Sequence, residues 1–244
     1  VLDLFSGIGG FSLGLERTGG FETVAFCEIE PYPRAVLKKH WPKVPCYEDV
    51  RTLTADALAR DGIAVDWITG GFPCQDVSVA GNGIGIDGER SGLVREVFRL
   101  IRDLRPKGVL LENSPALLYK GFDRILGWLA EIGYDAEWHC LRASSIGAPF
   151  EGDRVYIFAA PHEEHGKAWL GLRPSLTPRQ ILVSCARNRA AIWLETTSRS
   201  ARMGNGFSDR VDRRQRTECC GNAVVPQAVE TFGRAILEAE GMRP

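Results

Sequence analysis

The residue of this chain best placed to act as a nucleophile is a thiol on a glycine- and proline-rich turn. Cys74 sits in Gly70-Gly71-Phe72-Pro73-Cys74-Gln75-Asp76-Val77-Ser78, just after the apolar run Val65-Asp66-Trp67-Ile68. With that run as a parallel strand, the thiol falls at its carboxyl end, where open α/β sheets bind ligands and do chemistry. A free cysteine is more often a small buried hydrophobe, so Cys74 needs chemical company before it reads as a catalyst. Part of that company is a carboxylate. Lys107-Gly108-Val109-Leu110-Leu111 reads as a neighbouring buried strand that ends at Glu112-Asn113, which puts Glu112 where a general acid would stand.

A second constellation lies near the start of the chain. Val1-Leu2-Asp3-Leu4-Phe5 reads as a buried strand, and Ser6-Gly7-Ile8-Gly9-Gly10 turns it into a helix with apolar positions Phe11, Leu13 and Leu15. Glycines there permit tight turning and close backbone approach to a ligand. The next strand, Glu22 to Cys27, ends at Glu28, roughly 20 residues beyond the loop, where an acidic side chain accepts ribose hydroxyls. The matched spacing points to a nucleoside cofactor. After a helix from Pro33 to His40, Cys46-Tyr47-Glu48-Asp49-Val50 brings further carboxylates to a strand end. Asp49 suits an adenine amino group or, equally, a turn or cap.

These groups need a scaffold, and the remaining pattern supplies one. A polar, glycine-rich stretch from Gly81 to Gly92 has the character of a closing lid. A helix is expected from Leu93 to Leu104, with Leu93, Val97, Leu100, Ile101 and Leu104 in the core, and another from Ile125 to Ile132. Tyr134 to Ala143 and Val155 to Ala160 read as strands, antiparallel at the far end of the sheet. The expected fold is therefore α/β, a doubly wound, mostly parallel sheet.

Composition narrows the function classes. With 44% hydrophobic and 25% charged residues in 244, the chain is an ordinary globular sequence with enough apolar material for a substantial core. Its net charge of -1 gives no global pull toward nucleic acid, but Gly166 to Thr217 carries about +8, from Lys167 and ten arginines against Glu195, Asp209 and Asp212. The seven cysteines lack paired metal-ligand spacing, and His162-Glu163-Glu164-His165 has no matching cysteine pair, so no metal is expected. The odd cysteine count and the lack of a signal peptide or long apolar span favour a reduced cytoplasmic protein without a membrane partner. The chain begins at Val1 in a strand-like run, and a few residues are expected upstream.

The ordered set Asp3-Leu4-Phe5-Ser6-Gly7-Ile8-Gly9-Gly10, Glu28, Asp49, Gly71-Phe72-Pro73-Cys74-Gln75, Glu112-Asn113, Arg154 and Gly221-Asn222-Ala223-Val224-Val225-Pro226 resembles the motif series of the DNA (cytosine-5) methyltransferases. It spans nearly the whole chain in the family's order. The resemblance implies an S-adenosylmethionine-dependent enzyme, with S-adenosylhomocysteine as product, acting on a cytosine flipped out of double-stranded DNA in a bacterial or phage-infected cell. Carbon 5 of cytosine is a poor nucleophile, and covalent catalysis solves that problem. Cys74 would add to C6, Glu112 would hydrogen-bond or protonate N3, and Arg154 would orient O2. Phe5 would lie against the adenine, Gly7, Ile8 and Gly9 would pass the methionine portion, and Glu28 would hold the ribose. Asp49 would read the adenine edge, with Ile29, Val50, Pro73, Leu93, Asn222 and Val224 lining the pocket.

The same resemblance sets the domain plan: a catalytic and cofactor-binding unit over 1–160, a small basic recognition lobe over 161–217 and a returning segment over 218–244. Thr177-Pro178 reads as a helix start in the lobe, and the last helix, Pro226 to Glu240, is expected to pack back beside the first strand. A monomer is expected, with a cognate restriction endonuclease or recognition partner as an associated protein. Three features depart from the family pattern. Phe150-Glu151-Gly152-Asp153-Arg154 keeps only the last arginine of a usually basic segment, the recognition region is short, and Cys219-Cys220 replaces a bulky aliphatic. They leave two alternatives beside DNA methylation: a tRNA cytosine-5 methyltransferase of the same fold, and a catalytically silent DNA- or cofactor-binding module.

Overall fold

A computed structural model describes residues 1–73, 93–146, 152–162 and 223–242. Cys74 and Gln75, the stretch from Gly81 to Gly92, Phe150 and Glu151, the basic lobe with its Thr177 helix start, Cys219-Cys220 and Asn222 lie outside the described residues.

Short apolar runs become the strands of one seven-stranded sheet: β1 (Leu2–Leu4), β2 (Ala25–Cys27), β3 (Cys46–Tyr47), β4 (Trp67–Gly71), β5 (Gly108–Asn113), β6 (Tyr134–Arg142) and β7 (Asp153–Pro161), in the order β3-β2-β1-β4-β5-β7-β6. β1 pairs in parallel with both β2 and β4, β2 with β3, and β4 with β5. β7 runs antiparallel between β5 and β6, at the far end where antiparallel strands were expected. Chain order reverses between β1 and β4. The crevice beyond their carboxyl ends is thus the switch point at which a doubly wound sheet receives ligands.

Helices cover both faces. Those within the described residues are α1 (Gly10–Glu16), α2 (Pro31–His40), α3 (Ala55–Arg60), α4 (Val94–Leu104), α5 (Phe122–Glu131) and α6 (Pro226–Ala239). Leu2, Leu4, Ile68, Val109 and Leu111 pack with Leu58 of α3, Val97 and Ile101 of α4, and Ile125 and Leu129 of α5. On the opposite face Trp67, Leu110 and Tyr156 pack with Phe11 and Leu15 of α1 and Val229, Phe232 and Ile236 of α6. Burial on both faces explains why the central strands read as continuous apolar runs.

α6 returns to the start of the fold, but it lies on α1 rather than beside the first strand as expected. A Cβ at Gly14 would stand 2.5 Å from the Pro226 carbonyl oxygen and 2.6 Å from Val229 Cβ, so the two helix backbones touch where α1 has no side chain. Other expectations are adjusted. α1 buries Phe11 and Leu15, one turn apart, while Leu13 faces outward. α2 begins at Pro31, since a proline is at home in a first helical turn. β2 is three residues long, matching its equally short partner β1. α3 was unexpected: six residues, capped by Thr54, whose hydroxyl accepts from the Ala57 amide at 3.1 Å.

Candidate active site

The register of β4, β5 and β7 places the acidic half of the site. Glu112, the penultimate residue of β5, stands opposite Gly71 of β4 on one side and Tyr156 of β7 on the other. A side chain at Gly71 would crowd the carboxyl, because its Cβ would fall 3.1 Å from Glu112 Oε2. Arg154, near the start of β7, brings Nε to 2.7 Å from Glu112 Oε1 and donates through Nη1 to the Asp153 carbonyl at 3.1 Å. Glu112 is only 7% exposed. Burial pushes its carboxyl up to about 7, against the opposing pull of Arg154. Near neutral pH such a group is both proton donor and acceptor, as a general acid must be.

The neighbouring Asn113 ties this carboxyl to the strand that leads to Cys74. Its Nδ2 donates to the Phe72 carbonyl at 3.1 Å, and its Oδ1 accepts from the Ser114 amide at 2.8 Å. The Phe72-Pro73 turn, which leads to Cys74, is thereby fixed to the end of β5. Sequence reasoning placed Asn113 in a motif but gave it no role.

The second half of the site lies at the ends of β1 and β2. Phe5 has a φ of 51°, which bends the chain sharply out of β1. Gly7 and Gly9 follow at 52° and 86°, in the left-handed region that glycine enters without steric cost. Glu28 fastens this loop: its Oε2 accepts from the Gly7 amide at 2.7 Å and its Oε1 from the Glu30 amide at 2.8 Å. Beneath the loop lies Trp41, whose ring would collide with any Cβ at Gly9 and whose Nε1 donates to Glu16 Oε2 at 2.9 Å. Around the absent Cβ of Gly7 there is open space. Ile29, beside Glu28, is 57% exposed, a large apolar surface next to a carboxylate.

Not every candidate sits alike. Val224 joins the two halves, with its Cγ2 3.5 Å from the notional Gly71 Cβ and its carbonyl against Gly10. Leu93 packs against the core beside α4 and Pro73 is partly buried. Asp49 is engaged by Arg51, which approaches its Oδ2 through Nη2 at 2.6 Å, and that guanidinium holds the carboxyl below its usual range. The Val50 side chain turns into the core, while its carbonyl accepts from Arg99 at 2.9 Å. Among the described residues no three His, Cys, Asp or Glu side chains cluster as metal ligands, and no helix is long and apolar enough to cross a membrane.

The donor set at the ends of β1 and β2 suits a nucleoside sulfonium. It combines an open glycine turn, a carboxylate whose oxygens keep spare lone pairs, and an exposed aliphatic face beside it. A sheet of this order, with an acid–arginine pair on β5 and β7 and a glycine loop at the end of β1, has the Rossmann-like, doubly wound form. Residues 1–184 match the family model of the C-5 cytosine-specific DNA methylases, and the chain belongs to that family.

Among its relatives, the chain is 38% identical over 172 residues to the Type II methyltransferase M2.BsuMI of Bacillus subtilis (strain 168), covering 67% of this chain and 42% of that protein. A solved structure of an Escherichia coli prophage protein, described as a DNA modification methyltransferase, superposes with a TM-score of 0.57 at 28% identity, over 67% of this chain and 47% of its own. The methyltransferase EhMeth of Entamoeba histolytica shares the fold over 97% of both chains, with a TM-score of 0.64 at 16% identity. The chain spans about half the length of the curated relatives it matches.

Proposed function

We propose that this chain transfers a methyl group from S-adenosylmethionine to C5 of a cytosine flipped out of duplex DNA. The observation that carries the reading is the buried Glu112 carboxyl, paired with the half-buried Arg154 at 2.7 Å and set against Gly71 three residues before Cys74. Extrusion costs a few kcal/mol of stacking and pairing, and delivers the ring's Watson–Crick edge to a pocket. The Cys74 thiolate then adds to C6. Glu112 holds a proton at N3, which draws the electron pair of the addition into the ring and makes C5 nucleophilic. Arg154 positions the Glu112 carboxyl and reaches toward O2. A base takes the C5 proton after transfer and Cys74 leaves as thiolate, so the enzyme is regenerated.

S-Adenosylmethionine supplies the electrophilic methyl when bound beside the glycine loop. Glu28 would hold its ribose, Ile29 and Phe5 its adenine, and Gly7, Ile8 and Gly9 its methionine portion. Pro73, Leu93, Asn222 and Val224 would close the pocket. Asp49 and Val50 would meet the adenine edge, Asp49 from its pair with Arg51. The domain plan assigns catalysis to 1–160, duplex contact to the basic lobe at 161–217 and completion of the pocket to 218–244. The proposed setting is the cytoplasm of a bacterial or phage-infected cell, as a monomer serving restriction–modification alongside a cognate endonuclease.

Trapping on duplex DNA that carries 5-fluorocytosine tests this reading. Fluorine cannot leave as a proton does, so wild type with S-adenosylmethionine should form a denaturation-resistant adduct through Cys74. No adduct from wild type across a range of duplex sequences would overturn the covalent mechanism.

A further inference from the structure

The two halves of the site share a buried polar lock that the mechanism above does not use. Asp3, in the middle of β1, is fully buried, as are Ser12 of α1 and Thr69 of β4. Ser12 Oγ donates to Asp3 Oδ2 at 2.8 Å, and Thr69 Oγ1 donates to Asp3 Oδ1 at 2.9 Å. Each carboxyl oxygen thus takes one hydroxyl, from elements 66 and 9 residues away in the chain. Asp3 and Thr69 are also cross-strand neighbours in the β1–β4 register. The Asp3 backbone carbonyl accepts from Ser6 Oγ at 2.5 Å, and Ser6 Oγ in turn accepts from the Cys27 amide at 3.2 Å, one residue before Glu28.

A buried carboxyl in a parallel sheet is costly unless both oxygens are satisfied, and here both are. Three apolar residues would fill the same space more cheaply. What the polar set adds is direction: the hydroxyls reach their partner only when α1 and β4 hold one angle and one register to β1. α1 begins at the end of the glycine loop, and β4 ends at Gly71, three residues before Cys74.

We propose that Asp3 is a positioning residue that locks the cofactor loop, through Ser12, and the nucleophile strand, through Thr69, into one rigid unit. Its two arms are separable. The Ser12 arm governs how firmly the loop holds the cofactor, and the Thr69 arm governs where the strand presents the thiol. Burial raises the Asp3 carboxyl to about 7, against the pull of the two hydroxyls that donate to it. The kinetic arm rests on the methyl-transfer reading above, whereas the binding arm does not.

The test pairs Ser12→Ala and Thr69→Val with Thr69→Ser as the conservative restoration. S-Adenosylhomocysteine affinity is measured by calorimetry, and kcat is measured with saturating cofactor and duplex DNA. Ser12→Ala should weaken S-adenosylhomocysteine about tenfold, the effect of one lost hydrogen bond to a charged or buried partner. Thr69→Val should leave that affinity unchanged and lower kcat about tenfold, with Thr69→Ser restoring it. If both variants lose thermal stability but keep wild-type affinity and kcat, Asp3 is structural only and the proposal fails. Equal losses of affinity and kcat in both variants would also overturn it. If wild type transfers no methyl group, the proposed function fails, and the calorimetric arm alone decides: unchanged affinity in Ser12→Ala refutes the lock.

Discussion

Replacing Arg154 with glutamine asks whether the Glu112 carboxyl owes its tuning to the structure described. In wild type, burial raises this group to about 7 while the guanidinium, 2.7 Å away, opposes the rise. An opposite charge at that range lowers a carboxyl by about 1 to 3 units, so its removal should lift the Glu112 midpoint to between about 8 and 10. The carboxyl is 9% exposed, so water screens little of this change. Arg154 is itself 34% exposed, which lets the variant fold with a neutral glutamic acid in place of an ion pair.

A native carboxyl that titrates near 7 keeps a proton that the unfolded chain releases near 4.5, so stability falls as pH rises from about 4.5 to about 7. That loss is about 3 kcal/mol in wild type and continues to higher pH in Arg154→Gln. Infrared titration of the protonated carboxyl band, assigned by its loss in Glu112→Gln, reads the midpoint directly. Denaturant melts across the same pH range read the stability. A midpoint that stays near 7 in Arg154→Gln would refute the tuning.

Other expectations are simpler. Gly14→Ala should cost about 1 to 3 kcal/mol in urea unfolding, because its Cβ would overlap Pro226 and Val229 where α1 meets α6; unchanged stability would show that the helices are not in backbone contact. Glu28→Ala removes the acceptor for the Gly7 amide of the glycine loop and the Glu30 amide at the start of α2, and should weaken S-adenosylhomocysteine at least about tenfold by calorimetry; unaltered affinity would exclude Glu28 from the cofactor site. Asp3→Asn should flatten the part of the pH–stability curve that falls between about 4 and about 7, since an amide takes up no proton there; an unchanged curve would mean that Asp3 does not titrate in that window.

Much of this architecture could be read from residue order. Continuous apolar runs marked the parallel strands because both sheet faces are covered, and the glycine loop and Glu28 followed from spacing along one β-α-β unit. Elements held by local contacts were harder to bound: α3 is too short to show a period, and Leu13 lies on the outer face of an otherwise apolar turn. What escaped the sequence reading was long-range and polar. Asp3, Ser12 and Thr69 meet across β1, α1 and β4, and Asn113 reaches Phe72 across 41 residues. Their only trace in the chain is a polar residue inside an apolar strand or beside a known motif. Asp49 was legible as a carboxylate near a strand end, but its pairing with Arg51 depends on a turn geometry that spacing does not determine.

Methyl transfer through Cys74, with Glu112 as the acid, is directly measurable. Labelled methyl from S-adenosylmethionine should appear in duplex DNA as 5-methylcytosine, identified by mass spectrometry, with wild type but not with Cys74→Ala. Methylation that persists in Cys74→Ala, or wild type that binds cofactor yet leaves every duplex unmodified, would contradict transfer through the Cys74 thiol.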